Sequence, residues 1–492
     1  MPFLILMVPV LATLLAAYRT YKFARFYQLE GYNSVRYLRW WARSLPLALL
    51  WVPGGEVKQQ FTRTQRALRL VFTSCVLVGL LAFTGVFIGI VGVVISGALA
   101  YLLAPLMYPL ANILMYPVEA ALRQGYLSKA KAALQAAGPT VIAITGSYGK
   151  TTTKEYIAHL LGARYNVLKT PKSYNTLMGV CRVINQMLPS HEQYDYFIVE
   201  MGAYITGEIA AICRLTAPQI SLVTAVGPMH LERFGSIENT AKAKYEIIEA
   251  LPLDGAAIFN LDDPRVQAMD ARGYPVQRFG VTREDAPGAR LRASQIRMTA
   301  EGLNFIVTDA QSGETVQIRA PVYGDHNVTN ILMALAVAQH VGIPLQDSAL
   351  RAATLEPAEH RLVRRVLPNG LVTIDDAYSA NPVGSRQALR VLDLHRTATN
   401  MLAVITSGMI ELGPIQDEEN HKLGVDMAKV ATDVVLINPK QAEPVLRGLL
   451  EANFPLEHIH SVETTSAAIA WMTANAGAGD AVLIMSDLPD TY

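Results

Sequence analysis

The chain has 492 residues, too many for one compact core, which sets an expectation of about three folding units. Lys and Arg (42) nearly balance Asp and Glu (41), and the sequence carries no basic patch of nucleic-acid type, which argues against a partner held by phosphate neutralisation. Three cysteines, Cys75, Cys181 and Cys213, form an odd set without metal-type spacing, which excludes a disulfide framework.

The elements begin with an apolar segment, Pro2 to Tyr18, starting almost at the initiator Met. No basic residue precedes it and no small-x-small site follows, so it is expected to be a retained anchor rather than a cleaved signal peptide. Arg19 to Arg69 then carries ten Lys or Arg against two Glu, with Trp40, Trp41 and Trp51 among them. Such a basic, Trp-bearing loop is expected on the cytoplasmic side of a membrane. From Leu70 to Val118 no charged residue or His occurs, a run long enough for two helical passes. The expectation for residues 1–121 is therefore about three transmembrane helices with a basic cytoplasmic loop at 19–69, followed by a helical linker at 122–137.

Beyond Gly138-Pro139 the pattern changes. Thr140 to Thr145 reads as a strand, Lys150 to Leu161 as a helix, Tyr196 to Met201 as a strand and Thr206 to Leu215 as a helix. This alternation predicts an α/β domain with a parallel sheet, spanning 138–356, in which ligands bind at the carboxyl ends of strands. Short alternating runs from Ala286 to Ala320 predict an antiparallel excursion before a helix from Asn327 to His340. A second α/β rhythm after Leu355-Glu356-Pro357 predicts a Rossmann-like C-terminal domain over 357–492, without a dinucleotide fingerprint.

The chemistry is announced by "ITGSYGKTTTKE", Ile144 to Glu155. A strand running into a glycine turn and then a helix presents backbone N–H groups and a helix dipole to an anion. Gly146 and Gly149 allow close approach, with Ser147 between them and Thr152 following in the helix. Lys150 would face β- and γ-phosphate charge, and the Thr151 hydroxyl would ligate Mg2+. The Walker pattern is not complete, because Ile144 stands where it requires Gly.

The shortened turn resembles that of the Mur ligase superfamily, as do "SYNTLMGV" (Ser173 to Val180), "EMGAYITGEI" (Glu200 to Ile209) and "VGPMHLERFGSIENTAKAKYEII" (Val226 to Ile248). "GDHNVTNILMALA" (Gly324 to Ala336), "EHRL" (Glu359 to Leu362), "DDAYSANP" (Asp375 to Pro382) and "GMIELG" (Gly408 to Gly413) follow in the family's order. The resemblance covers about 138 to 485. It implies a Mur ligase central ATP-binding domain and a Mur ligase C-terminal domain, here preceded by membrane helices. The implied reaction is ATP-dependent amide bond formation through an acyl phosphate, in bacterial cell-wall synthesis. Its implied partners are a muramyl-peptide or lipid-linked peptide acceptor, an amino donor such as D-alanyl-D-alanine, and membrane lipid.

The resemblance also implies site roles. Glu200 and Thr151 would hold one Mg2+ ion, while His230 and Lys244 would serve a second, the lysine as a carbamate. Asn327 and Asn330 would contact adenine and ribose, and Arg361 and Asp376 would reach ATP from the last domain. Location follows from the same reading: a multi-pass protein of the bacterial plasma membrane with its catalytic domains on the cytoplasmic side. Two departures stand out. Apolar segments occupy the place of the family's soluble UDP-binding domain, and "IMSDLPDTY" (Ile484 to Tyr492) replaces a Lys-Gly-Ser-Arg turn near the amino substrate. The competing reading is a membrane P-loop ATPase coupling hydrolysis to transport or signalling, which would need neither Lys244 nor the "HNVTN" element.

Overall fold

A computed structural model describes residues 2–43, 64–171, 174–189, 193–229, 231–270, 272–284, 286–299, 301–357, 362–377, 381–410 and 412–486. The chain divides into a helical unit up to Tyr126 and an α/β unit from Leu127 onward.

The helical unit contains the helices Pro2–Leu29, Ser34–Arg43, Gln65–Phe83 and Ile90–Leu103, and the first part of Met107–Ala137. Aromatic packing holds it: Phe23, Tyr27, Tyr37 and Tyr108 are buried together. Their hydroxyls are satisfied, Tyr37 donating to Pro105 O at 3.0 Å and Tyr108 to Thr20 O at 2.8 Å. Among the described residues two helical stretches, Gln65–Ile88 and Ile90–Ala137, are long and apolar enough to cross a membrane by length and composition. The apolar run from Pro2 to Tyr18 lies at the lower limit of length for a helical span. Its helix continues instead through Arg19, Lys22 and Arg25, so the start of the expected basic loop is helical. Residues 44–63 of that loop lie outside the described residues.

The α/β unit is built on two sheets. The first comprises β1 (Thr140–Thr145), β2 (Val167–Lys169), β3 (Tyr196–Glu200), β4 (Ile220–Val223), β5 (Ala256–Asn260), β6 (Gln277–Thr282), β7 (Ala289–Thr299), β8 (Gly302–Asp309) and β9 (Thr315–Ala320). Their order is β2-β3-β1-β4-β5-β6-β7-β8-β9. β1 is central because helices cover both of its faces, which is why its sequence is apolar without alternation. Ile142 pairs with Ile198 of β3 and Ile220 of β4. Each of these fully buried side chains stabilises the sheet by about 1.5–3 kcal/mol relative to exposure.

Pairing is parallel from β2 to β7 and antiparallel across β7-β8 and β8-β9. The antiparallel excursion is thus an extension of the main sheet. The helix His326–His340 is buried without interruption from Asn327 to Ala338 and fills one face of the core, in keeping with an apolar pattern on all sides.

The second sheet contains β10 (Val363–Val366), β11 (Val372–Asp375), β12 (Leu402–Gly408), β13 (Asp433–Ile437), β14 (Ile459–Val462) and β15 (Ala481–Ser486), in the order β10-β11-β15-β12-β13-β14. All pairs are parallel except β10 with β11. Among the described residues an ion pair joins this part to the first: Asp325, just before the helix His326–His340, meets Arg390, and its N–H donates to Gln387 Oε1 at 3.1 Å.

Candidate active site

The carboxyl ends of β1, β3, β4 and β5 lie side by side, and each contributes to one locus. From β1 the chain enters the turn Gly146–Gly149 and then the helix Lys150–Leu161. Gly149 caps that helix at φ 79°, and a Cβ there would lie 2.7 Å from Asn330 Oδ1. At Gly146 a Cβ would lie 1.9 Å from Thr224 Oγ1. Both positions therefore require glycine for contact as well as for backbone freedom.

The turn is clamped from β4. Ser147 N donates to Ala225 O at 2.7 Å, Gly227 N donates to Ser147 Oγ at 2.9 Å, and Thr224 Oγ1 donates to Tyr148 O. The Tyr148 ring lies against Gly227, its buried hydroxyl has no partner among the described residues, and burial pushes its phenol up.

Lys150 Nζ donates to Gly146 O at 2.6 Å and to Ser147 O at 3.3 Å, which sets its ammonium across the turn. Thr151 Oγ1 donates to Glu200 Oε2 at 3.0 Å, so the structure brings the helix start and the end of β3 together. Glu200 is 3% exposed. Its Oε1 accepts from Asn175 Nδ2 at 3.4 Å, and Lys154 Nζ reaches Oε2 at 3.4 Å. Thr152 is buried in the same helix.

Lys244, on the helix Ile237–Glu249, is buried at 4% exposure. Burial first, and the neighbouring Lys150 charge second, hold its pKa well below the ordinary lysine value. His230 and Arg361 lie outside the described residues.

Asn327 and Asn330, read from sequence as base and ribose contacts, are engaged within the protein. Asn327 Nδ2 donates to Tyr323 O at 2.7 Å, Asn330 Nδ2 to Asn327 Oδ1 at 2.9 Å, and Thr153 Oγ1 to Asn330 Oδ1 at 3.2 Å. This chain ties the helix His326–His340 to the phosphate turn. Asp376 Oδ1 accepts the backbone N–H of Leu362 at 3.1 Å, and Asp375 Oδ1 accepts that of Ala377 at 3.2 Å. Asp376 thereby faces the segment entering the second sheet.

Sequence reasoning missed a second tier after β5. Asn260 Nδ2 donates to Thr224 O at 2.7 Å and Val226 N donates to Asp263 Oδ2 at 2.8 Å. Asp262 Oδ2 accepts from Thr329 Oγ1 at 2.9 Å and from Arg283 Nε at 3.0 Å. "NLDDP", Asn260 to Pro264, thus fixes the loop that clamps the phosphate turn. Polar residues crowded at a strand end and followed by proline were the available signal.

Comparison with known proteins identifies the arrangement. The sequence matches the Mur ligase middle domain over residues 144–338 and the Mur ligase glutamate ligase domain over residues 360–488. A Mycobacterium leprae protein named UDP-N-acetylmuramoyl-tripeptide--D-alanyl-D-alanine ligase is 32% identical over 385 residues, 73% of this chain and 73% of the relative. The Bacillus subtilis protein of the same name is 30% identical over 72% of this chain and 74% of its own length. The chain belongs to the Mur ligase family.

The structure of MurF from Acinetobacter baumannii superposes with a TM-score of 0.64 at 25% identity, covering 75% of this chain and 78% of that one. This Mur ligase is accordingly a MurF-like, ATP-dependent peptide ligase of peptidoglycan synthesis. The ATPase reading is thereby set aside. The expectation of a multi-pass plasma-membrane protein does not hold either: the relatives are named for ligation on a UDP-linked precursor, and among the described residues two helical stretches pass for spans by length and composition alone. No observation supports a membrane-lipid partner.

Mur ligases use ATP and Mg2+, and the residues present fit both. The glycine turn leaves no room for side chains at Gly146 and Gly149, as a phosphate cradle requires. Thr151 Oγ1 and a Glu200 carboxylate oxygen, 3.0 Å apart, are the hard donors that Mg2+ takes alongside phosphate. Among the described residues no group of three or more His, Cys, Asp or Glu gathers.

Proposed function

We propose that this Mur ligase joins D-alanyl-D-alanine, or a closely similar amino donor, to the terminal carboxylate of a UDP-linked muramyl tripeptide. The substrate class follows the names of the relatives. The observation that carries the reaction type is the Thr151–Glu200 contact beside the phosphate turn, which sets an anion cradle and a hard-oxygen pair at one strand edge.

In this reading the substrate carboxylate attacks the γ-phosphorus, ADP leaves, and an acyl phosphate forms. The donor amine then attacks the acyl carbon, phosphate leaves, and the amine gives up its proton. Lys150 opposes the charge that gathers on the transferring phosphoryl group. Thr151 and Glu200 would hold Mg2+, which supplies positive charge to the phosphate oxygens. Asn330 and Thr153 keep the turn in place through buried hydrogen bonds rather than by touching substrate. Asp376 and Arg361 would act from the C-terminal part once it closes over ATP, excluding water from an acyl phosphate that water would destroy.

The finer part of the proposal concerns Lys244. Buried and beside Lys150, it is disposed toward the neutral amine, and a neutral amine adds carbon dioxide with loss of a proton. The resulting carbamate reverses the sign of the group and would, with His230, offer oxygen and nitrogen donors to a second Mg2+ ion.

Product analysis tests the reaction. Incubation with UDP-muramyl tripeptide, D-alanyl-D-alanine and ATP should yield ADP, phosphate and a new amide in equal amounts. ADP and phosphate without amide would refute the proposal.

A further inference from the structure

Lys154 has no part in the chemistry above, yet it is buried to 0% exposure beside it. Its Nζ donates to Thr170 O at 2.8 Å and lies 3.4 Å from both Glu200 Oε2 and Glu155 Oε1. Glu155 is itself paired with Lys169. The ring is closed by Glu200 N, which donates to Thr170 Oγ1 at 3.0 Å. Thr151 and Lys154, three apart on one helix face, therefore converge on the same carboxylate oxygen.

A carboxylate paired in this way carries no net charge toward a dication. Lys150 adds a further positive charge nearby, whatever the state of Lys244. Mg2+ sites in proteins use carboxylates together with substrate phosphates, and a neutral ion pair flanked by a cation is a poor site without them. We infer that Lys154 withholds Glu200 from the metal until nucleotide phosphates bring negative charge to the turn, so that the ion enters with the nucleotide or after it. Lys154 is thus a positioning residue that sets the order of loading. The inference rests on the reading of Thr151 and Glu200 as Mg2+ ligands.

The test is Mn2+ binding to the full-length protein, followed by electron paramagnetic resonance with and without ADP. Wild-type protein should bind Mn2+ at least about tenfold more tightly with ADP than without it. Lys154→Met removes the charge, and Lys154→Gln removes it while keeping a donor for Thr170 O. Each should bind Mn2+ at least about tenfold more tightly than wild type in the absence of nucleotide, because a unit positive charge a few ångströms from a dication repels it by more than that factor at an effective dielectric of about 20. The benefit of ADP should shrink accordingly. A purely structural lysine would lower the melting temperature and leave this affinity unmoved.

Unchanged or weaker nucleotide-free binding in variants that melt like wild type would overturn the inference. So would wild-type protein that binds Mn2+ equally with and without ADP, a result that needs no variant to fold. Glu200→Gln measured with ADP separates the two readings. Wild-type Mn2+ affinity there would overturn the metal role of Glu200 and this inference with it. Weakened binding there, with no gain in the Lys154 variants, would overturn this inference alone.

Discussion

Asn330→Ala distinguishes a nucleotide contact from a brace. The substitution removes an acceptor for Thr153 Oγ1 (3.2 Å) and a donor to Asn327 Oδ1 (2.9 Å). Thr153 is 0% exposed and Asn327 3% exposed, so both groups lose their partner where water does not readily replace it. An orphaned buried polar group costs about 1–3 kcal/mol, and two of them, partly relaxed, give about 2–4 kcal/mol. At about 2–4 °C per kcal/mol for a domain of roughly 150–250 residues, the melting transition should fall by roughly 5–10 °C. Scanning calorimetry of the nucleotide-free protein reads this directly, and ADP affinity should weaken as the turn loosens. A transition within about 1 °C of wild type, with ADP affinity lost, would refute the reasoning and make Asn330 a nucleotide contact.

Lys150→Ala should leave the melting transition near wild type and lower turnover by a factor on the order of a hundred or more, the cost of about 3 kcal/mol of transition-state stabilisation; steady-state kinetics beside calorimetry checks both. Activity should fall when carbon dioxide is stripped from enzyme and buffer and return with bicarbonate; Lys244→Arg should lose ligation, while Lys242→Arg, on an exposed side chain, should retain it. Asp309 is buried, which alone would raise its pKa, but hydrogen bonds from Arg290, Gln311 N and Gln339 prevail and hold it at about 2. A folded-state pKa below the unfolded value gives stability that is present above the unfolded pKa and lost as pH falls through the folded one. Unfolding followed by fluorescence should therefore show stability declining from about pH 4 toward pH 2, and Asp309→Asn should flatten that decline.

The strand and helix on either side of the phosphate turn were legible because their determinants are local. A β-branched apolar run, two glycines and a helical pattern give Thr140–Thr145 and Lys150–Leu161 with the boundaries observed. The alternation in Ala289–Ala320 announced antiparallel strands, but their attachment to β6 depends on pairing between distant segments, which no local pattern carries. Glu200 and Thr151 were read as one site and lie 3.0 Å apart.

The asparagines of the helix His326–His340 were harder. No local pattern announces that Thr153 Oγ1, far away in the chain, donates to Asn330 Oδ1. In the N-terminal unit the charge-free run Leu70 to Val118 reads as two passes, and two apolar helical stretches cover it. Hydropathy cannot see that Tyr108, within that run, packs on Tyr27 and Tyr37 from the segment before it.

The central claim is that ATP is spent on activating a carboxylate. It is tested most directly with a muramyl-tripeptide acceptor whose terminal carboxylate is labelled with oxygen-18. If the carboxylate attacks the γ-phosphorus, each turnover carries one labelled oxygen into inorganic phosphate as the amide forms. Phosphate whose fourth oxygen instead comes from solvent, with the label left in the peptide, would mean that water is the nucleophile and would contradict the account.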